Sequence, residues 1–140
     1  MGVSPQPEVE AANTRFYRAF EDLDLGAMDA VWVHAEYVKC VHPGWPLLTG
    51  WDAVRDSWRV IFQNTAEMRF TLGTVEATTA GNLGWVTCTE NILQSVRGQI
   101  SVTSVLATNL FERGVDGVWR IIHHHASHVL GASPEPDAER

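Results

Sequence analysis

Leu83–Ser95 reads LGWVTCTENILQS and, after Arg97-Gly98, Gln99–Glu112 reads QISVTSVLATNLFE. Both runs alternate with a period of two and are rich in Val, Ile, Thr and aromatic residues, the pattern of strands with one buried face. Two residues, Arg97 and Gly98, suffice to join them, and Gly tolerates the positive φ of a tight hairpin. Working outward, Met68–Thr78 precedes them across Ala80-Gly81-Asn82, and Val118–Ser127 follows across Asp116-Gly117. Connections this short force an antiparallel meander, because parallel neighbours need long crossovers. Four strands of about ten residues twist and coil until one face becomes concave.

Upstream the period lengthens to 3.6. Val9, Ala12, Phe16, Phe20 and Leu23 recur at helical spacing and predict an amphipathic helix from Glu8 to about Asp22. Asp24 is placed to cap a short second helix over Gly26–Val33, which carries Met28, Val31 and Trp32. A strand-like piece, Tyr37–Val41, comes next. His42-Pro43-Gly44-Trp45-Pro46 predicts a rigid loop, since two prolines remove donors and extend the residues before them. Thr49 and Asp52 have the spacing of a capping box for a third helix, whose face shows Trp51, Val54, Trp58, Ile61 and Phe62. Helices first and sheet second predict an α+β domain over residues 8–128. Residues 1–7 and the Gly-, Ser- and Pro-rich stretch 129–140 are expected to be unstructured ends.

The chain's 140 residues, 45% of them hydrophobic and 19% charged, suit one folded core. A net charge of -7 without any basic run argues against nucleic acid as a partner. No stretch approaches the roughly 20 apolar residues of a membrane span. Met1–Pro7 lacks the charged and apolar regions of an export signal, so a cytoplasmic location is expected. Cys40 and Cys88 lack CxxC spacing and read as small buried residues. The run His123-His124-His125 places neighbours on opposite faces of a strand, so at most two share an ion. With no HExxH and no carboxylate pair, neither metal nor organic cofactor is expected. There is also no GxSxG elbow, phosphate loop or dinucleotide fingerprint.

Three stretches, Val41–Trp45 followed by Gly50–Val54, then Leu83–Thr87, and last Gly117–Ser127, together resemble the NTF2-like superfamily, specifically its SnoaL-like branch of small bacterial proteins. The resemblance spans about residues 8 to 128. It implies a cone-shaped fold with an apolar pocket, similar to ketosteroid isomerase, scytalone dehydratase, limonene epoxide hydrolase and the association domain of calmodulin-dependent kinase. Such a fold hosts enzymes, ligand binders and assembly modules alike.

The resemblance turns Arg120, Ile122, His124 and Ala126 inward on the last strand, with Val86, Cys88 and Glu90, and then Asn109 and Phe111, on the others. His42 falls where ketosteroid isomerases carry their general-base aspartate, and Asn109 where they carry the acid that donates to the oxyanion; neither residue type is kept. His42, Glu90, Asn109 and His124 are therefore the expected catalytic set, for acid–base chemistry (isomerase, dehydratase or hydrolase) on a small hydrophobic or polyketide-like molecule. Phe16, Trp32, Trp45, Val54, Trp58, Val86, Cys88, Phe111 and Ile122 are the expected pocket lining. Other roles are open to the same residues: His42 as a loop anchor, Glu90 paired with Arg120, Asn109 as a core amide, Trp45 and Trp58 as ordinary core. A non-catalytic ligand-binding or assembly domain is the alternative function. Outward rows containing Thr87, Thr89, Ser101, Thr103 and Thr108, with the outer histidines, are expected to form a homodimer interface.

Overall fold

The computed structural model describes residues 5–130. Its elements run α1 (Gln6–Glu21), α2 (Leu25–Val31), β1 (Lys39–Val41), β2 (Leu48–Thr49), α3 (Trp51–Gln63), β3 (Glu67–Ala80), β4 (Leu83–Val96), β5 (Gln99–Arg113) and β6 (Trp119–His128). Three helices lie against one curved six-stranded sheet ordered β2-β1-β6-β5-β4-β3, an α+β architecture. The meander β3 to β6 is antiparallel throughout, as its short turns require. Two strands are added to it. The short β1 runs parallel to β6, setting Cys40 beside His124, and β2 folds back on β1. No helix among the described residues is long and apolar enough to cross a membrane.

Helix α1 starts at Gln6, two residues inside the stretch expected to be unstructured. Pro5 and Pro7 are tolerated there because the first N–H groups of a helix lack intrahelical partners anyway. Residues 1–4 and 131–140, with most of the expected tail, lie outside the described residues; Val129 donates to the Ser104 carbonyl. Asp24 caps α2 through its side chain, accepting from the Ala27 N–H at 3.0 Å. The expected Thr49 capping box does not form. Thr49 belongs to β2, where its hydroxyl accepts from Lys39 Nζ, and Gly50 caps α3 instead. With φ at +92° the chain enters that helix through a conformation that favours glycine.

The core is the space between helices and sheet. Phe16 and Phe20 of α1 meet Trp58 of α3 edge-on, with ring centroids 5.7 and 4.7 Å apart, and Phe16 also meets Trp32 at 6.4 Å. Behind them Val54, Val86, Cys88, Phe111 and Ile121 are fully buried.

Two face assignments change. In β6, Phe111 pairs with Ile121 while Leu110 pairs with His123, so Ile122 is the extra residue of a β-bulge. On the C-terminal side of the bulge His124 and Ala126 point inward; on the other side the parity flips, so Trp119 and Ile121 are buried while Arg120 and Ile122 are only partly so. In β5 no bulge interrupts the alternation. Ser101 and Thr103 therefore share the inner row of Val105 and Asn109 and do not belong to the outer face.

Candidate functional site

The sheet's curvature leaves a cavity of about 220 Å³ at the wide end of the cone. Phe20, Ile61, Met68, Ile92 and Val105 give it apolar walls, and Pro43 and Trp45 stand at one side. Its buried polar groups come from three elements: His42 just after β1, Glu90 on β4 and His124 on β6. Cys40 and His42 are two residues apart and share the inward face of β1, which is why the ring enters the core. A tight turn then carries Trp45 back over it: the Trp45 N–H donates to the His42 carbonyl at 2.8 Å. Pro43 and Gly44, the latter at φ +81°, fill the turn's central positions, as in a type II turn. The Trp45 and His42 rings meet edge to face at 4.9 Å.

Ser57 fixes the His42 tautomer. Its hydroxyl donates to the Val54 carbonyl at 2.6 Å, so at the 2.8 Å contact with His42 Nε2 it accepts. Nε2 then carries the proton and Nδ1 the lone pair. Burial lowers the His42 pKa to about 4, and the ring is neutral at physiological pH.

A second chain of hydrogen bonds runs from His124 to Glu90. His124 Nδ1 meets Asn109 Oδ1 at 2.5 Å, where only the ring nitrogen has a proton to give. Asn109 Nδ2 donates to Asn13 Oδ1 at 2.9 Å and to the Tyr17 hydroxyl at 3.1 Å, and Tyr17 donates to Glu90 Oε2. Every donor along this path points toward Glu90. Burial raises the Glu90 pKa to about 7, with the Tyr17 bond acting the other way. Burial is also the main reason that Tyr17 is raised well above its ordinary value and that His124, with His42 nearby, is lowered well below its own. His42 and His124 have ring centroids 6.2 Å apart.

Thus His42, Glu90, His124 and Trp45 reach one cavity, while Asn109 stands behind it as a link between His124 and Tyr17. The remaining expected lining residues do not reach it. Phe16, Trp32, Val54, Trp58, Val86, Cys88 and Phe111 belong to the packed core behind it, Trp58 against the His42 and His124 rings, and Ile122 is displaced by its bulge. Arg120 pairs with Asp116 at 2.9 Å and not with Glu90. The thiols of Cys40 and Cys88 are both raised, chiefly by burial, that of Cys88 to about 11, which leaves them unreactive.

Sequence reasoning missed Asn13, Tyr17 and Ser57. The signal for the first two was present: Asn13 and Tyr17 are four apart and flank Phe16 on the buried stripe of α1, where an unpartnered polar group would be costly. Ser57 sits beside Trp58 on α3 and carried no such mark. On the outer face, His123 and His125 lie 6.2 Å apart, and no cluster of three metal-ligating side chains occurs among the described residues.

Residues 9–131 match the SnoaL-like domain. A solved protein from Streptomyces avermitilis, provisionally assigned as a dehydratase of the NTF2-like family, is 40% identical and superposes with a TM-score of 0.84 over 90% of this chain and 96% of that one. Another, from Thiobacillus denitrificans, is provisionally assigned as a calcium/calmodulin-dependent protein kinase type II association domain. It is 32% identical, with a TM-score of 0.76 over 92% and 99% of the two chains. F-box protein SKIP8 of Arabidopsis thaliana is 31% identical over 122 residues, 86% of this chain; the chain spans about half, 49%, of that relative's length.

Proposed function

This chain belongs to the SnoaL-like domain family, and we propose that its cavity carries out cofactor-independent proton transfer on a small, largely apolar carbonyl compound, as an isomerase or dehydratase does. The observation that carries this reading is the convergence of His42, Glu90 and His124 on one apolar cavity. Glu90 is the proton carrier: a carboxyl that titrates near 7 has both forms present at neutral pH, where acid–base catalysis is most effective. Tyr17 engages Oε2, leaving Oε1 to meet the ligand. The carboxylate takes a proton from the carbon next to the carbonyl, and the electron pair of the broken C–H bond moves into an enolate. The resulting carboxyl returns that proton to another carbon, or to a departing hydroxyl that leaves as water. His42 and His124, held neutral, orient the ligand by accepting from its hydroxyl through Nδ1 and Nε2 and are too weakly basic to compete for the proton. At about 220 Å³ the cavity is smaller than the roughly 300–1,000 Å³ of drug-sized sites, so the substrate is small.

The test needs no knowledge of the natural substrate. Incubated in D2O with a panel of small ketones and β-hydroxy ketones, the protein should catalyse exchange of the proton next to the carbonyl, followed by NMR. Glu90→Gln, with its fold intact, should lower that exchange about 100-fold or more. Exchange at the wild-type rate in that variant rules out Glu90 as the carrier.

A second reading, assembly, is favoured by the outer sheet face. Leu93 and Val102 pair there across β4 and β5, and with Leu106 they are 43%, 55% and 52% exposed. The assignment of the Thiobacillus protein as an association domain supports assembly in general, and this exposed apolar row is what points to a homodimer through this face. Sedimentation velocity should find a dimer that Leu106→Glu converts to monomer; a wild-type monomer at high concentration removes the reading.

A further inference from the structure

Resting on the reading of the cavity as a ligand site, we infer that its ligand is an electrically neutral molecule with polar groups at both ends, the inner one held by His42, Glu90 and His124 and the outer one by Gln94 and Thr103. The polar groups of the cavity fall into two zones. The inner three side chains are 1–3% exposed, whereas Gln94 and Thr103 are half-buried at the rim, with His128 exposed beside them. Glu90, Ile92 and Gln94 follow one another along the inner row of β4, and Thr103 faces Ile92 from β5. At about 3.3 Å per residue the zones lie roughly 7 to 13 Å apart along the strands. Ile92, Val105 and Phe20 fill the interval with apolar surface.

Neutrality follows from what the lining contains. It has no Lys or Arg. Four arginines, Arg55, Arg59, Arg69 and Arg120, are engaged at the surface with Asp29, Asp56, Glu67 and Asp116. His42 and His124 are kept uncharged, so neither offers a counter-ion. A carboxylate or phosphate entering the cavity would lose its hydration, find no Lys or Arg, with the imidazole of His128 only at the exposed rim, and face Glu90, the one carboxyl there. The free nitrogens of the two neutral imidazoles accept and so match an uncharged hydroxyl, the Glu90 carboxyl in its protonated form donates to a carbonyl, and the amide and hydroxyl at the rim both donate and accept, so the whole lining suits hydroxyl and carbonyl groups without net charge.

The test compares three ligands of one length, hexan-2-one, 6-hydroxyhexan-2-one and 5-oxohexanoate, by the NMR shifts of the His42 and His124 rings. The hydroxy ketone should bind at least about fivefold more tightly than hexan-2-one, and at least about tenfold more tightly than the carboxylate. Gln94→Leu with Thr103→Val should abolish the hydroxyl's advantage. Equal or tighter binding of 5-oxohexanoate overturns the neutral class, and an advantage that survives the double substitution overturns the outer contact. If neither ketone shifts either ring, the ligand-site reading itself fails and this inference falls with it.

Discussion

The hydroxyl of Tyr17 on α1 donates to Oε2 of Glu90 on β4, joining residues 73 positions apart inside the core. This bond favours the charged form and works against burial, which raises the carboxyl; the two together leave it at about 7. Tyr17→Phe should therefore raise the Glu90 pKa further, and the lost buried bond should destabilise the fold by about 1–3 kcal/mol. Carbon-13 titration of the Glu90 carboxyl measures the first effect and thermal unfolding the second. An unchanged titration would mean that the hydroxyl does not tune the carboxyl.

Stability should rise with pH and level off near neutrality. Between 4.5 and about 7 the unfolded chain has released the Glu90 proton and the folded protein still holds it, so this group makes stability fall as pH rises. His42 does the opposite: between about 4 and 6.5 the unfolded chain binds a proton that the buried ring refuses. His124 and the half-buried His123 act in the same direction as His42. Stability is thus expected to climb toward about 7, because the imidazoles outnumber the one opposing carboxyl, and to level off above it, at no more than about 1.4 kcal/mol per pH unit for each proton. Glu90→Gln should steepen the climb between about 4.5 and 6.5. Urea unfolding across this range reads the slope, and a variant with the wild-type slope would show that Glu90 does not hold the opposing proton.

The β3–β6 meander was legible because alternation with a period of two survives any packing detail and because Gly81, Gly98 and Gly117, at φ from +60 to +80°, sit at the hairpin turns. The family was legible too: the motifs that resembled it lie within the 9–131 match. Ile122 was not, since a bulge is decided by how two strands pair and leaves no mark on either one. The extent of the cavity was equally hidden. Whether Trp58 lines a void or fills one depends on the summed volume of side chains from five or more elements, which no periodicity reports. Tyr17 and Asn13 leave only the mark of two polar residues inside an apolar stripe, and their partners, Glu90 on β4 and Asn109 on β5, are set by tertiary packing that no spacing within α1 reports.

Ser57 is expected to control the His42 ring. In Ser57→Ala, Nε2–H loses its acceptor, so stability should drop by about 1–3 kcal/mol and the preference for the Nε2–H tautomer should weaken. Imidazole nitrogen-15 shifts distinguish the tautomers directly. Identical shifts in variant and wild type would show that another group orients the ring.

Gly84 and Val9 define how closely α1 approaches the sheet. Gly84 lies on the inner row of β4, and a Cβ there would stand 2.8 Å from Val9 Cγ2 and 3.2 Å from its Cγ1, with the Trp119 ring at 3.4 Å. Val9 is fully buried and cannot swing away, so Gly84→Ala should force α1 outward and destabilise the fold by about 1–3 kcal/mol. Val9→Ala alone removes two methyl groups from a packed site and is destabilising for the ordinary reason. Together the two changes exchange one methyl for the space of two, so their combined cost should be smaller than the sum of the separate ones by more than about 0.5 kcal/mol. Chemical denaturation of the four proteins closes the cycle. Strict additivity would show that the helix and the strand do not meet through these two residues, and that α1 is set over the cavity by Phe16, Tyr17 and Phe20 alone.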